Sequence, residues 1–179
     1  MKTTQILIAG FGGQGILFAG KFLAYKGLMG DLQVSWLPSY GPEMRGGTAN
    51  CNVILSETPV GSPIVTQPDV LIAMNLPSLE KYIDTVVPGG QVYLDSSLIH
   101  TEIQRKDIQV FPIPATQLAK ENQMPTLANM IIVGHLLENN PALSFDGTEA
   151  VVNKLVPASK AALIELNMNA MKLGKDYGK

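Results

Sequence analysis

Apolar residues along this chain fall into short solid runs separated by longer amphipathic stretches, a pattern that predicts strands and helices taken in turn. Residues 5–9 (QILIA) are apolar after Gln5 and end on glycine, as a parallel strand buried on both faces should. From Gln14 to Gly30 the positions Ile16, Leu17, Ala19, Gly20, Leu23 and Ala24 recur at helical spacing. Residues 32–37 (LQVSWL) read as the next strand, and 48–56 (TANCNVILS) alternate in the manner of a half-buried one. The segment 56–61 (SETPVG) then turns the chain and is expected to make a hairpin.

The pattern repeats downstream. Residues 69–75 (DVLIAMN) predict another buried strand, and Pro77 and Ser78 open a helix. Residues 88–97 (PGGQVYLDSS) give a turn, a strand, and small polar residues at its carboxyl end. In 107–115 (DIQVFPIPA), Pro112 and Pro114 would break a central ladder, so this strand belongs at an edge. Helical spacing fills the remainder, over Ala115–Asn122, Thr126–Asn139, Thr148–Leu155 and Pro157–Leu173. The expected fold is α/β: a three-layer α/β/α domain with a largely parallel, Rossmann-like sheet and an antiparallel hairpin. No repeat or linker divides the chain, so residues 1–179 read as a single domain.

Composition narrows the function classes. Hydrophobic residues make up 46% and charged residues 16%, an apolar balance that leaves surface for a partner subunit to cover. A net charge of -2 provides no broad basic field, which argues against nucleic acid. One cysteine excludes an internal disulfide framework and a self-sufficient iron–sulfur or cysteine-ligated zinc site. No segment reaches the roughly 18 apolar residues of a membrane span, and the N-terminus lacks a signal-peptide pattern, so the chain reads as cytoplasmic with no membrane association.

Two stretches carry candidate chemistry. GFGGQG (10–15) fits G-x-G-x-x-G through Gly10, Gly12 and Gly15, directly after a strand and opening a helix. Such a turn brings the backbone close to a ligand and offers unpaired helix N–H groups to a phosphate. A dinucleotide site would also want an acid at the tip of the second strand. Here that strand runs through Trp36 and Leu37 into Pro38 and Ser39, with Asp31 before it and Glu43 beyond it, so NAD fails its second test. Another phosphate-bearing ligand such as coenzyme A, and a close-packed turn with a structural role only, both stay open. The second stretch, SYGPEMRGGTANC (39–51), holds Gly41, Pro42, Gly46 and Gly47 too close together for a helix.

Taken together and in order, GFGGQGILFAGKFLA, SYGPEMRGGTANCNVILS and PDVLIAMN resemble the gamma subunit, or the corresponding domain, of the 2-oxoacid:ferredoxin oxidoreductases. The resemblance implies a multisubunit enzyme that oxidatively decarboxylates a 2-oxoacid to acyl-CoA with thiamine diphosphate, Mg and iron–sulfur clusters. It implies partners: a thiamine-diphosphate subunit, an alpha-type subunit, a ferredoxin-like subunit, and ferredoxin as acceptor. On this reading the chain is the accessory member with no catalytic residue and no metal ligand, and would form a homodimer when isolated. GGTANCNV with SYGPEMRGG looks nearer the 2-oxoglutarate or branched-chain types than the pyruvate type. Gly10, Gly12, Gly13, Gln14 and Gly15 match the family's glycine motif and are the candidate cofactor-binding residues. Tyr40, Gly41, Pro42, Glu43, Arg45, Gly46 and Gly47 become a constrained loop at a subunit interface or beside the coenzyme A route. There the planar fork of Arg45 would suit a carboxylate or phosphate and Glu43 would orient it. The rival readings are a free-standing Rossmann-like nucleotide-binding regulator and an NAD-dependent oxidoreductase.

Other polar residues read more plainly. Cys51 is expected as a small buried hydrophobe, His135 as a packed helical histidine and His100 as a solvent-facing one. Ser96, Ser97 and Asn75 end strands where open α/β sheets place ligand crevices, but the serines also suit a cap or turn. Asn129 and Gly134 read as close-packing positions.

Overall fold

The computed structural model describes residues 2–39 and 48–179, with the backbone alone at Thr48 and Ala158. Six strands, β1 (Thr3–Phe11), β2 (Gln33–Ser39), β3 (Thr48–Ser56), β4 (Val70–Ala73), β5 (Gln91–Asp95) and β6 (Gln109–Ile113), form one sheet in the order β2-β3-β1-β4-β5-β6. The helices are α1 (Ile16–Met29), α2 (Leu76–Tyr82), α3 (Ala115–Glu121), α4 (Ala128–Asn139), α5 (Thr148–Leu155) and α6 (Ala161–Asp176).

Five strands run one way and β3 alone runs against them, antiparallel to both β1 and β2. The α/β expectation holds, but the hairpin lies one connection earlier than Ser56–Gly61. It joins β2 to β3, with Ser39 opposite Asn50, while the chain after Ser56 crosses β1 to reach β4. The reason lies in β3 itself: Cys51, Val53 and Leu55 are buried on one face and Asn52, Ile54 and Ser56 on the other. A strand with two buried faces belongs inside the sheet, so the half-buried expectation for 48–56 gives way to a central position between β1 and β2. The edges fall to the two proline-bearing strands, with Pro38 in β2 and Pro112 in β6.

Alternation along β1 separates two cores. Ile6 and Ile8 face α1 and the other large helices; Leu7 faces α2. The layers are unequal. Five helices contribute to the larger core, whereas α2, the 3-10 turn Ile83–Thr85 and the connections around Val65 and Ile99 cover the opposite face. Over β2 and β3 that second face mixes polar side chains such as Asn52 and Ser56 with the buried Ile54.

Within the helical layer, α6 crosses α4 at a pair of glycines. A Cβ at Gly134 would lie 2.7 Å from the backbone carbon and Cα of Met171, and one at Gly174 would lie 2.9 Å from His135 N. The close approach lets His135, 6% exposed, donate from Nδ1 to the Gly174 carbonyl at 3.2 Å, while its ring sits edge-on to Tyr93, Phe111 and Tyr177. Burial holds its pKa below the ordinary histidine value. Among the described residues no helix is long and apolar enough to cross a membrane.

Candidate functional site at the glycine turn

The carboxyl ends of β1, β4 and β5 open at one end of the sheet. Chain direction diverges there: β1 leads through α1 to β2 on one side, and β4 leads through α2 to β5 on the other. In open α/β sheets that divergence is where ligand crevices form. The glycine turn stands at this point.

Gln14 closes the turn from within. Its Oε1 accepts the Phe11 N–H at 2.6 Å and its Nε2 donates to the Met74 carbonyl at 2.9 Å, tying the end of β1 to the end of β4. Gly10 is required by that closure, because a Cβ there would lie 2.7 Å from Gln14 Oε1 and 2.8 Å from Met74 Cβ. Gly15 precedes α1 in the left-handed region at φ 74, and Asn129 of α4, 4% exposed, donates from Nδ2 to its carbonyl at 3.0 Å. Gly12 and Gly13 complete the bend, with Gly13 at φ 94 beside open space.

No side chain caps α1. Ala19 is the first residue whose N–H turns back, to Gly15 O at 3.0 Å, so the amides of the first turn point out of the helix at the positive end of its dipole. The motif residues thus take distinct structural roles: Gln14 and Gly10 build the turn, Gly15 sets the start of α1, and no side chain closes that helix end.

The serines and Asn75 resolve differently. Asn75 caps α2, its Oδ1 accepting the Ser78 N–H at 2.8 Å. Ser97 Oγ accepts the Gln117 N–H at 3.0 Å, a cap for α3 delivered from the end of β5. Asp95 does the same work and was not singled out by sequence. Its fully buried carboxylate accepts from Ser97 N, Thr116 N and the Thr116 hydroxyl. The available signal was an acid ending an apolar strand, followed by a helix whose own N-cap, Pro114, carries no hydrogen-bonding side chain.

Cys51 is fully buried against α1, and burial pushes its thiol up to about 12, which makes it a poor thiolate. His100 is exposed, as expected. Tyr40, Gly41, Pro42, Glu43, Arg45, Gly46 and Gly47 lie outside the described residues; the strand residues that flank them, Ser39 and Thr48, sit at the same sheet end as the glycine turn, with Thr48 opposite Phe11. A separate cavity of about 450 Å³, lined by Lys26, Leu55, Leu143 and Val151 among others, opens between the end of α1 and the start of α5, away from this crevice.

The family described as pyruvate ferredoxin/flavodoxin oxidoreductase matches residues 5–177. The ketoisovalerate oxidoreductase subunit VorA of Methanothermobacter thermautotrophicus is 35% identical over 98% of this chain, which spans 36% of that protein's length. The gamma subunit of a keto/oxoacid ferredoxin oxidoreductase from Geobacter sulfurreducens superposes with a TM-score of 0.84 at 30% identity, covering 97% of this chain and 95% of that one. A 2-oxoglutarate:ferredoxin oxidoreductase from Magnetococcus marinus, solved with 2-oxoglutarate, coenzyme A and succinyl-CoA bound, superposes at 0.86 with 27% identity, over 98% of this chain and 31% of that one. The likeness thus runs from the first strand through the last helix, glycine turn included, and the chain belongs to the pyruvate ferredoxin/flavodoxin oxidoreductase family, with the gamma-subunit fold that its motifs implied.

Proposed function

We propose that this chain is the accessory gamma component of a 2-oxoacid:ferredoxin oxidoreductase that converts 2-oxoglutarate or a branched-chain 2-oxoacid to its acyl-CoA, and that its glycine turn holds the phosphates of coenzyme A. The observation that carries the second part is the uncapped start of α1 at the point where the sheet's connections diverge. Backbone N–H groups aimed out of a helix N-terminus suit a phosphate without any cationic side chain. The coenzyme A present in the Magnetococcus marinus relative supports that choice of ligand over NAD.

The chemistry of decarboxylation and electron transfer belongs to partner chains on this reading. A cluster needs several thiolates, and the single cysteine is buried in the sheet with its pKa raised. Thiamine diphosphate, Mg and the iron–sulfur clusters are accordingly assigned to a thiamine-diphosphate subunit, an alpha-type subunit and a ferredoxin-like subunit, with ferredoxin as acceptor. The apolar composition fits a chain that is covered on assembly.

The test has two arms. In the first, thermal unfolding of the full chain is followed with coenzyme A and with NAD; a ligand at a hundred times its Kd stabilises by about 2.7 kcal/mol. Stabilisation by coenzyme A supports the assignment, and stabilisation by NAD alone overturns it. In the second, the tagged chain is recovered gently from its native cells. Co-recovery of a thiamine-diphosphate chain and a cysteine-rich chain supports the accessory role; recovery of this chain alone overturns it.

A further inference from the structure

Three of the four residues from Gly12 to Gly15 are glycine, so the turn before α1 has little stiffness of its own. Gln14 fixes one side of it, to Phe11 and Met74. The other side, where α1 begins, is held from a distant element: Asn129 Nδ2 donates to the Gly15 carbonyl across 114 residues of sequence. Packing there is tight, since a Cβ on Gly15 would lie 2.8 Å from Asn129 Cγ.

Neither partner needs this bond for its own sake. The Gly15 carbonyl already accepts the Ala19 N–H at 3.0 Å, so without Asn129 it would still be paired. Asn129 stands one residue inside α4 and does not cap it; the N-cap is Leu127, and no side chain bonds there. Its carboxamide is 4% exposed, with Oδ1 unpartnered among the described residues. Burying an amide whose acceptor goes unused costs stability, and an apolar side chain of similar size would avoid that cost. What the bond does supply is position. Helix α4 is buried from Ala128 through Leu137 and locked against α6 at the glycine crossing, so it is a stiff reference for a soft turn. Tying Gly15 to it fixes the direction in which the first amides of α1 point.

We propose that Asn129 is the positioning residue for anion binding at the start of α1; this rests on the reading of the glycine turn as the phosphate site. It acts through the Gly15 carbonyl and not by touching the ligand.

The test measures coenzyme A binding to the full chain by calorimetry, for the parent and three variants. Asn129→Ala removes the bond and leaves the Gly15 carbonyl paired to Ala19; affinity is expected to fall about three- to tenfold, the worth of one hydrogen bond. Asn129→Asp keeps the shape, loses the donor and sets a carboxylate beside the helix start. Its loss should exceed that of Asn129→Ala at neutral pH and shrink, relative to the parent at the same pH, as acid neutralises the new carboxylate. A merely structural role would not produce that pH profile. Gly90→Ala is the control: a Cβ there would lie 2.7 Å from Val86 Cγ1 and 2.8 Å from Val87 O, at the opposite end of the sheet, so it should lower Tm and leave coenzyme A affinity unchanged. Unchanged affinity in Asn129→Ala, or an equal loss in all three variants, overturns the proposal while leaving the phosphate site standing. If the unaltered chain does not bind coenzyme A, the reading of the turn fails and the positioning role fails with it.

Discussion

Replacing Gly134 by alanine is a sharp trial of the way the helical layer is assembled. The new Cβ would lie 2.7 Å from two backbone atoms of Met171, where carbon atoms in ordinary contact keep about 3.5–4.0 Å. The Met171 carbonyl oxygen lies nearer still, and because the obstacle is main chain it cannot rotate aside, so α4 and α6 must part by more than about 1 Å. Overpacking of this kind costs about 1–3 kcal/mol, and a backbone obstacle places it at the upper end. Alanine returns up to about 1 kcal/mol through its better helix propensity. A net loss of about 2 kcal/mol follows, or about 4–8 °C in Tm for a chain of this size. Urea and thermal unfolding of Gly134→Ala beside the parent measure it. Gly61→Ala is the control: open space surrounds Gly61, and a change within about 0.5 kcal/mol is expected there. An unchanged or raised midpoint for Gly134→Ala would refute the close crossing of α4 and α6.

Three further outcomes are expected. Asp95→Ala should cost about 2–4 kcal/mol in denaturant unfolding, because the end of β5 and the start of α3 lose a shared acceptor; a loss below 0.5 kcal/mol would show that the cap is dispensable. Since burial depresses the pKa of His135, the unfolded chain binds the extra proton first: stability is complete above the unfolded value of about 6.5 and falls as pH drops through it toward the folded value, and His135→Gln should flatten that part of a pH–stability curve. Cys51, fully buried with its thiol near 12, should resist alkylation at neutral pH in the folded chain and react fully once unfolded; rapid labelling of the folded chain would contradict its place beneath α1.

Much of this could be read before the structure because local and global signals agree. Residues 6–9 and 70–74 are solid apolar runs that belong inside a sheet, and Pro112 within β6, with Pro114 just after it, opposes a central place. Strand β3 misled because Asn50 and Asn52 look like a solvent-facing alternation, whereas both stand on a face turned toward α2 and Asn52 is buried there. Its pairing on both sides was a long-range outcome that no local pattern encodes. At the site, the glycine spacing marked the turn, but the residues that hold it come from afar: Met74 and Asn129 meet the motif only after folding. Gly174 likewise acquires its meaning from Gly134, about forty residues away on another helix.

The inserted strand also bears on how the chain is made. By Ser56 the three strands β1, β2 and β3 have all been synthesised, and every partner within that half of the sheet is already present. The remaining strands then join outward from β1 in the order in which they emerge, β4, β5 and β6. A protein of this plan can grow its sheet as a vectorial process, each new strand meeting an edge that is ready to receive it. The two glycine-packed helices arrive later, so an interrupted chain lacking α6 would expose the groove along α4, a natural place for a chaperone to hold it until synthesis is complete.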